Sequence, residues 1–185
     1  DARRAGAHIV HLVSGPYARK YPQYRATESM VGPDPAPEPG CPKPEWQSER
    51  NEEQYGPGFN THYPPTTDIR RPKHRDIPRC VQPEPGEYMA STGRQLNRLL
   101  RGLGVWTILY AGFNTNVCVI HSSGCIWDMR LRGYRCVLLR DCTTSCEQAD
   151  TVDEMLNYHA AIRSIDLFMG YTALSDGFRA ALAAV

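Results

Sequence analysis

Residues 105–119 read VWTILYAGFNTNVCV, and this stretch decides the fold. Its first seven residues form a near-continuous apolar run, the mark of a strand buried on both faces. Gly112 interrupts the run, and from about Asn116 a helical pattern continues to Arg132 and stops at Gly133. The alternation extends in both directions. Upstream, a helix is predicted over about 92–103, ended by Gly104. Downstream come a strand at 135–140 (RCVLLR), a helix over about 146–163, an apolar stretch at 165–171 and a last helix from Ser175. Apolar strands alternating with helices predict the α/β class, as a three-layer α/β/α sandwich with a mostly parallel, Rossmann-like sheet.

Every proline lies between Pro16 and Pro85. Proline lacks an N–H and fixes its own φ, so residues 14–85 are expected to be mostly one long loop inserted into a single domain spanning 1–185. The tyrosines at 17, 21, 24, 55 and 63, with Trp46 and Phe59, give this insertion enough apolar area to pack onto something. Residues 7–13 (AHIVHLV) read as a short buried strand, preceded at 1–6 by the last turn of a helix that ends on Gly6. The chain thus opens in mid-element, and an N-terminal strand is expected upstream of it.

Composition narrows the function. Hydrophobic residues make up 41% and charged residues 22%, which is ordinary for a globular chain. A net charge of +1 provides no dominant field for a phosphate backbone or an anionic membrane, so no nucleic acid and no membrane partner is expected. No apolar run reaches the roughly 18 residues of a membrane helix. The seven cysteines are odd in number and lack paired C-x-x-C spacing, which fits free thiols in a reducing, cytoplasmic compartment.

Ligands of an open parallel sheet bind at the carboxyl ends of its strands, so the loop after residues 105–111 is the informative one. It delivers Cys118 to the first turn of the next helix. Unpaired backbone amides there favour thiolate over thiol and could hold the oxyanion of a tetrahedral intermediate. Cys118 is therefore the candidate nucleophile, against the ordinary reading of a free cysteine as a small buried hydrophobe. Cys125 falls two helical turns beyond Cys118 on the same face, Cys136 lies inside a strand, and Cys41 and Cys80 lie in the loop. Cys142 and Cys146, flanking the loop after the 135–140 strand, are reserve candidates.

The run 109–119 (LYAGFNTNVCV), followed by Arg132-Gly133-Tyr134 and by 138–144 (LLRDCTT), resembles the isochorismatase-like cysteine hydrolase superfamily, which includes nicotinamidases and N-carbamoylsarcosine amidases. The likeness runs from Gln95 to Leu182, with a weaker match at 3–13. It implies that Cys118 attacks a carbonyl carbon, that the backbone amides of Asn114 and Cys118 form the oxyanion hole, and that a cis peptide falls at Phe113–Asn114. Phe113, Thr115 and Asn116 match positions that shape the elbow or meet substrate. For Thr115 and Asn116, capping the helix is an equally good reading.

Two departures accompany these matches. The family's catalytic aspartate ends a strand upstream of residues 1–6, and Asp1 is not that residue. The family's lysine has no counterpart between Gly86 and Thr92; Lys20, Lys43 and Lys73 all read as solvated loop charges, and Lys73, inside a basic cluster at 70–75, is the least implausible substitute. His62 and His74 lie too far apart for the metal site of nicotinamidases, and His8, His11, His121 and His159 read as structural, so no metal and no cofactor are expected. The reading is a cysteine hydrolase that cleaves a C–N amide bond of a small molecule. Its alternatives are a non-catalytic binding or scaffold protein on the same fold, and a vinyl ether hydrolase of the isochorismatase type. The aromatic-rich insertion would suit a contact between subunits of a homo-oligomer.

Overall fold

A computed structural model describes residues 1–34 and 76–184. The chain divides into two compact units, Asp1–Asp34 with Gln82–Val185, and Pro35–Val81. Of the second unit, residues 76–81 are described, and they end in a 3₁₀ turn at Arg79–Val81. Cys41, Lys43, Trp46, Tyr55, Phe59, His62, Tyr63, Lys73 and His74 lie outside the described residues.

The first unit runs β1 (Val10–Leu12), α1 (Gly15–Ala18), α2 (Pro22–Val31), β2 (Tyr88–Ala90), α3 (Gly93–Gly102), β3 (Thr107–Phe113), α4 (Ile126–Leu131), β4 (Arg135–Thr144), α5 (Leu156–Ser164), β5 (Tyr171–Ala173) and α6 (Ser175–Ala183). All the ladders are parallel, as expected for this α/β fold. They form two sheets rather than one: β1 pairs with β2, and β3, β4 and β5 pair in that order. The two sheets share a core without sharing a ladder. Val10 and Leu12 of β1 pack on the same cluster as Ile108 and Tyr110 of β3, around Leu96, Leu100, Ile126, Met129, Leu138 and Ile165. β4 is buried on both faces at Leu138 and Leu139, whereas β3 alternates exposed and half-buried positions and so has one face open.

Several elements depart from the sequence expectation. The stretch read as loop from residue 14 contains α1 and α2, each with proline in its first turn, where the missing N–H has no partner to lose. Helix α2 is anchored by its polar residues. Thr27 Oγ1 accepts from the amide of Met89 at 3.1 Å, and the Tyr24 hydroxyl accepts from Gln95 Nε2 at 3.1 Å. Strand β2 is short enough to escape a periodicity search.

The helix expected over 116–132 is two pieces, a five-residue π-helical turn at Thr115–Val119 and then α4. The break falls at 122–125, where Gly124 takes φ +81°, its amide donates to Asp128 Oδ2 at 2.8 Å, and its carbonyl receives the Tyr110 hydroxyl at 3.0 Å. Cys125 therefore does not continue a face begun at Cys118. It is a buried N-cap whose sulfur accepts from the Asp128 amide. The helix expected over 146–163 forms only as α5, because Met155 enters it in the left-handed conformation, φ +50°. After α5 a second π-helical turn, Ile165–Met169, leads into β5 through Gly170. A Cβ at Gly170 would lie 2.4 Å from the Cys136 carbonyl oxygen, which no side chain could tolerate. Among the described residues no helix is long and apolar enough to cross a membrane.

Candidate active site

Strand β3 ends at Phe113, and the next peptide bond, Phe113–Asn114, is cis. The chain then enters the π-helical turn that carries Thr115, Asn116 and Cys118. The Asn114 carbonyl accepts from the amides of Val117 at 3.2 Å and Val119 at 3.0 Å, with the Cys118 amide between them. Cys118 is exposed at the carboxyl end of β3. Its sulfur has no hydrogen-bond partner among the described residues. The long helix expected behind this thiol is reduced to one short turn.

The elbow is bolted to the end of β4. Ladder pairing jumps from Tyr110↔Leu138 to Gly112↔Thr143, so residues 139–142 bulge out of register. Beyond the bulge, Thr143 Oγ1 donates to the Gly112 carbonyl at 2.6 Å, and the buried Thr115 Oγ1 donates to the Thr144 carbonyl at 3.0 Å. Asn116 grips the Cys146 backbone twice: its Oδ1 accepts from the Cys146 amide at 2.9 Å and its Nδ2 donates to the Cys146 carbonyl at 3.0 Å. Asn157 Nδ2 donates to that same carbonyl at 3.0 Å, and Asn114 Nδ2 donates to Cys146 Sγ at 2.9 Å.

Thus Asn114, Thr115, Asn116 and the reserve candidate Cys146 are brought together beside Cys118, and the side chains of Thr115 and Asn116 reach the end of β4 and the loop after it rather than cap their own turn. Phe113 is exposed at the same end of β3. No local pattern marks Asn157 as a site residue, whereas Thr143 lies within the 138–144 run that carries the family resemblance. Cys142 is half-buried. Asp141 accepts from the backbone and hydroxyl of Ser175, which hold its carboxyl below the usual range and fasten β4 to α6.

Other titratable groups lie elsewhere. Asp1 pairs with Arg4 and with Arg179 of α6. Lys20 lies over the Tyr17 ring. His11 Nε2 meets Glu87 Oε2 at 2.8 Å, His8 packs against Tyr88, and His159 stands edge-on to Tyr158. Among the described residues no three His, Cys, Asp or Glu side chains cluster as a metal site would require.

Residues 58–166, more than half of the chain, match the model of the isochorismatase domain. The chain belongs to the isochorismatase family. Two solved structures of low identity share the fold. A cysteine hydrolase from Pseudomonas syringae pv. phaseolicola is 16% identical, with 99% of this chain and 75% of that chain covered and a TM-score of 0.54. A putative hydrolase of the isochorismatase family from Chromobacterium violaceum is 18% identical, with 96% and 94% covered and a TM-score of 0.50. An isochorismatase-like hydrolase from Alkaliphilus metalliredigens is 23% identical over 57% of this chain, which spans 57% of that protein's length, with a TM-score of 0.45. A comparison with curated proteins finds no match.

Proposed function

We propose that this isochorismatase-family chain is a cysteine hydrolase acting on the C–N amide bond of a small molecule through a covalent thiol intermediate. The observation that carries this reading is the exposed thiol of Cys118, one short turn beyond the carboxyl end of β3, on an elbow immobilised by the polar bonds to 143–146. In a parallel sheet this is where substrates bind, and a nucleophile performs best when its backbone is held in place.

In the proposed reaction the Cys118 sulfur attacks the amide carbon, an S–C bond forms, and the carbonyl oxygen becomes an oxyanion received by the amides of Asn114 and Cys118. The C–N bond then breaks, the thiol proton ends on the leaving nitrogen, and water hydrolyses the thioester. Proton transfer falls to a group other than those bonded around the elbow, since the Cys118 sulfur has no partner among the described residues. That same lack supports a second reading, a binding or scaffold protein on the isochorismatase fold.

The test is ammonia release from a panel of primary amides by the protein and by Cys118→Ala, with mass spectrometry of the Cys118 peptide after reaction with an activated acyl donor. The hydrolase reading requires turnover that Cys118→Ala abolishes and an acyl adduct on Cys118. Equal inertness of both forms and no adduct would leave the scaffold reading.

A further inference from the structure

The end of the β3–β4–β5 sheet opposite the elbow is an open groove of about 740 Å³, reaching Thr107, Arg135 and Tyr171, the first residues of the three strands. Its mixed lining carries four large, exposed apolar side chains. Trp106, Leu167, Phe168 and Tyr171 are 61–67% exposed. The π-helical turn Ile165–Met169 produces part of this: it buries Ile165 completely while turning Leu167 and Phe168 outward. Trp106 is stacked on the buried Tyr134 at a centroid distance of 5.9 Å and leaves much of its ring exposed. Arg130 and Arg135 stand among these side chains, while Asp166 is engaged by the Thr172 hydroxyl at 3.2 Å. Ordered aromatics beside arginine are the composition of protein–protein hot spots, and apolar clusters of this kind rarely stay uncovered.

The chain carries a surface of matching character at its other end. Residues 150–156 (DTVDEML) lie beyond the carboxyl end of β4 and expose Val152, Met155 and Leu156 together with the acidic Asp150, Asp153 and Glu154. This knob is built rather than loose. Glu147 accepts from the amides of Asn157 at 3.1 Å and Tyr158 at 2.8 Å, Thr151 Oγ1 accepts from the Gln148 amide at 2.8 Å, and Met155 is set outward by its left-handed φ of +50°. Such a conformation is uncommon for a non-glycine residue, and here it falls within the exposed knob.

We infer that the basic, aromatic groove at the amino ends of β3, β4 and β5 receives the acidic, apolar 150–156 knob of a second copy of this chain. Unlike charge selects this pairing over groove against groove, which would face arginine with arginine. Because groove and knob lie at opposite ends of parallel strands, one copy cannot fill its own groove, and the contact joins different surfaces of the two molecules. The inference is independent of the thiol chemistry.

Charge reversal tests it. Arg130→Glu/Arg135→Glu alters the groove and Asp153→Lys/Glu154→Lys alters the knob, all at exposed positions, and thermal unfolding checks that both variants fold. Sedimentation at roughly 1 to 100 μM, a range that reads contacts of ordinary strength, should give assemblies larger than 20.8 kDa for the parent chain. Each variant alone should associate at least tenfold more weakly, and their equimolar mixture, in which glutamate meets lysine, should recover assembly. A monomeric parent chain, a knob variant that associates like the parent, or a mixture as weak as its components would overturn the inference.

Discussion

The hydroxyls of Thr115 and Thr143 lie 2.6 Å apart, joining the turn that carries Cys118 to the strand beside it. Three hydrogen-bond contacts, to the Gly112 carbonyl, to the Thr144 carbonyl and between the hydroxyls themselves, share only two protons. The contact between the hydroxyls is a hydrogen bond only when one of them turns its proton from its carbonyl to the other.

Thr115→Val keeps the shape of this fully buried residue and removes its hydroxyl. The Thr144 carbonyl loses its donor, so the loss should be about 1 to 3 kcal/mol in urea-induced unfolding. Thr115→Ser should retain most of the stability. Equal stability of the Val variant and the parent would mean that the threonine pair does not hold the elbow.

Thiol labelling should separate the cysteines sharply. Cys118 is exposed, whereas Cys136 is 1% exposed and burial pushes its thiol up to about 11, so iodoacetamide at neutral pH should modify Cys118 long before Cys136. Cys125, also buried and raised by its burial, should resist as well. Peptide mass spectrometry after brief exposure reads the order, and equal labelling of Cys118 and Cys136 would contradict the burial described here.

Gly93 opens α3 against the break before α4. A Cβ there would fall 1.9 Å from Asp128 Oδ2 and 2.8 Å from the Gly124 nitrogen, while the Gly93 amide already donates to Ser123 Oγ at 2.8 Å. Gly93→Ala should therefore lower stability by roughly 2 kcal/mol or more through overpacking. The control Gly102→Ala, where a Cβ meets nothing within 4 Å, should be neutral or mildly stabilising.

Glu87 supplies an acid-sensitive tie. Hydrogen bonds from Arg3 do most to bring its carboxyl from 4.5 down to about 2, helped by the Glu84 amide and His11 and opposed by burial. Because the folded value is depressed, its stabilisation is fully present above about 4.5 and is lost as pH falls toward 2, on the order of 2 to 3 kcal/mol in all. Glu87→Gln should flatten the pH dependence of stability across that window. An unchanged slope would rule the tie out as a source of acid sensitivity.

The strand and elbow at 105–119 were legible in the sequence because a near-continuous apolar run ending in glycine has few other solutions, although β3 keeps one face open instead of being buried on both, and the cis bond at Phe113–Asn114 followed from resemblance rather than pattern. The break at 122–125 was not recognised, although Ser122-Ser123-Gly124 marks it, because the apolar spacing on both sides continues in helical phase. The grip of Asn116 and Asn157 on Cys146 joins elements far apart in the chain, and no local pattern encodes it. Helix α2 was hidden by the very prolines that start helices well and end them badly.

The bulge at residues 139–142 splits the β3–β4 ladder into an inner part at 107–110 and an outer part at 112–113. The outer part is fastened mainly by hydroxyls and amides rather than by ladder pairs. The position of the turn bearing Cys118 is therefore set by side chains from two distant segments, and a single substitution among them would shift the thiol while leaving the inner ladder intact.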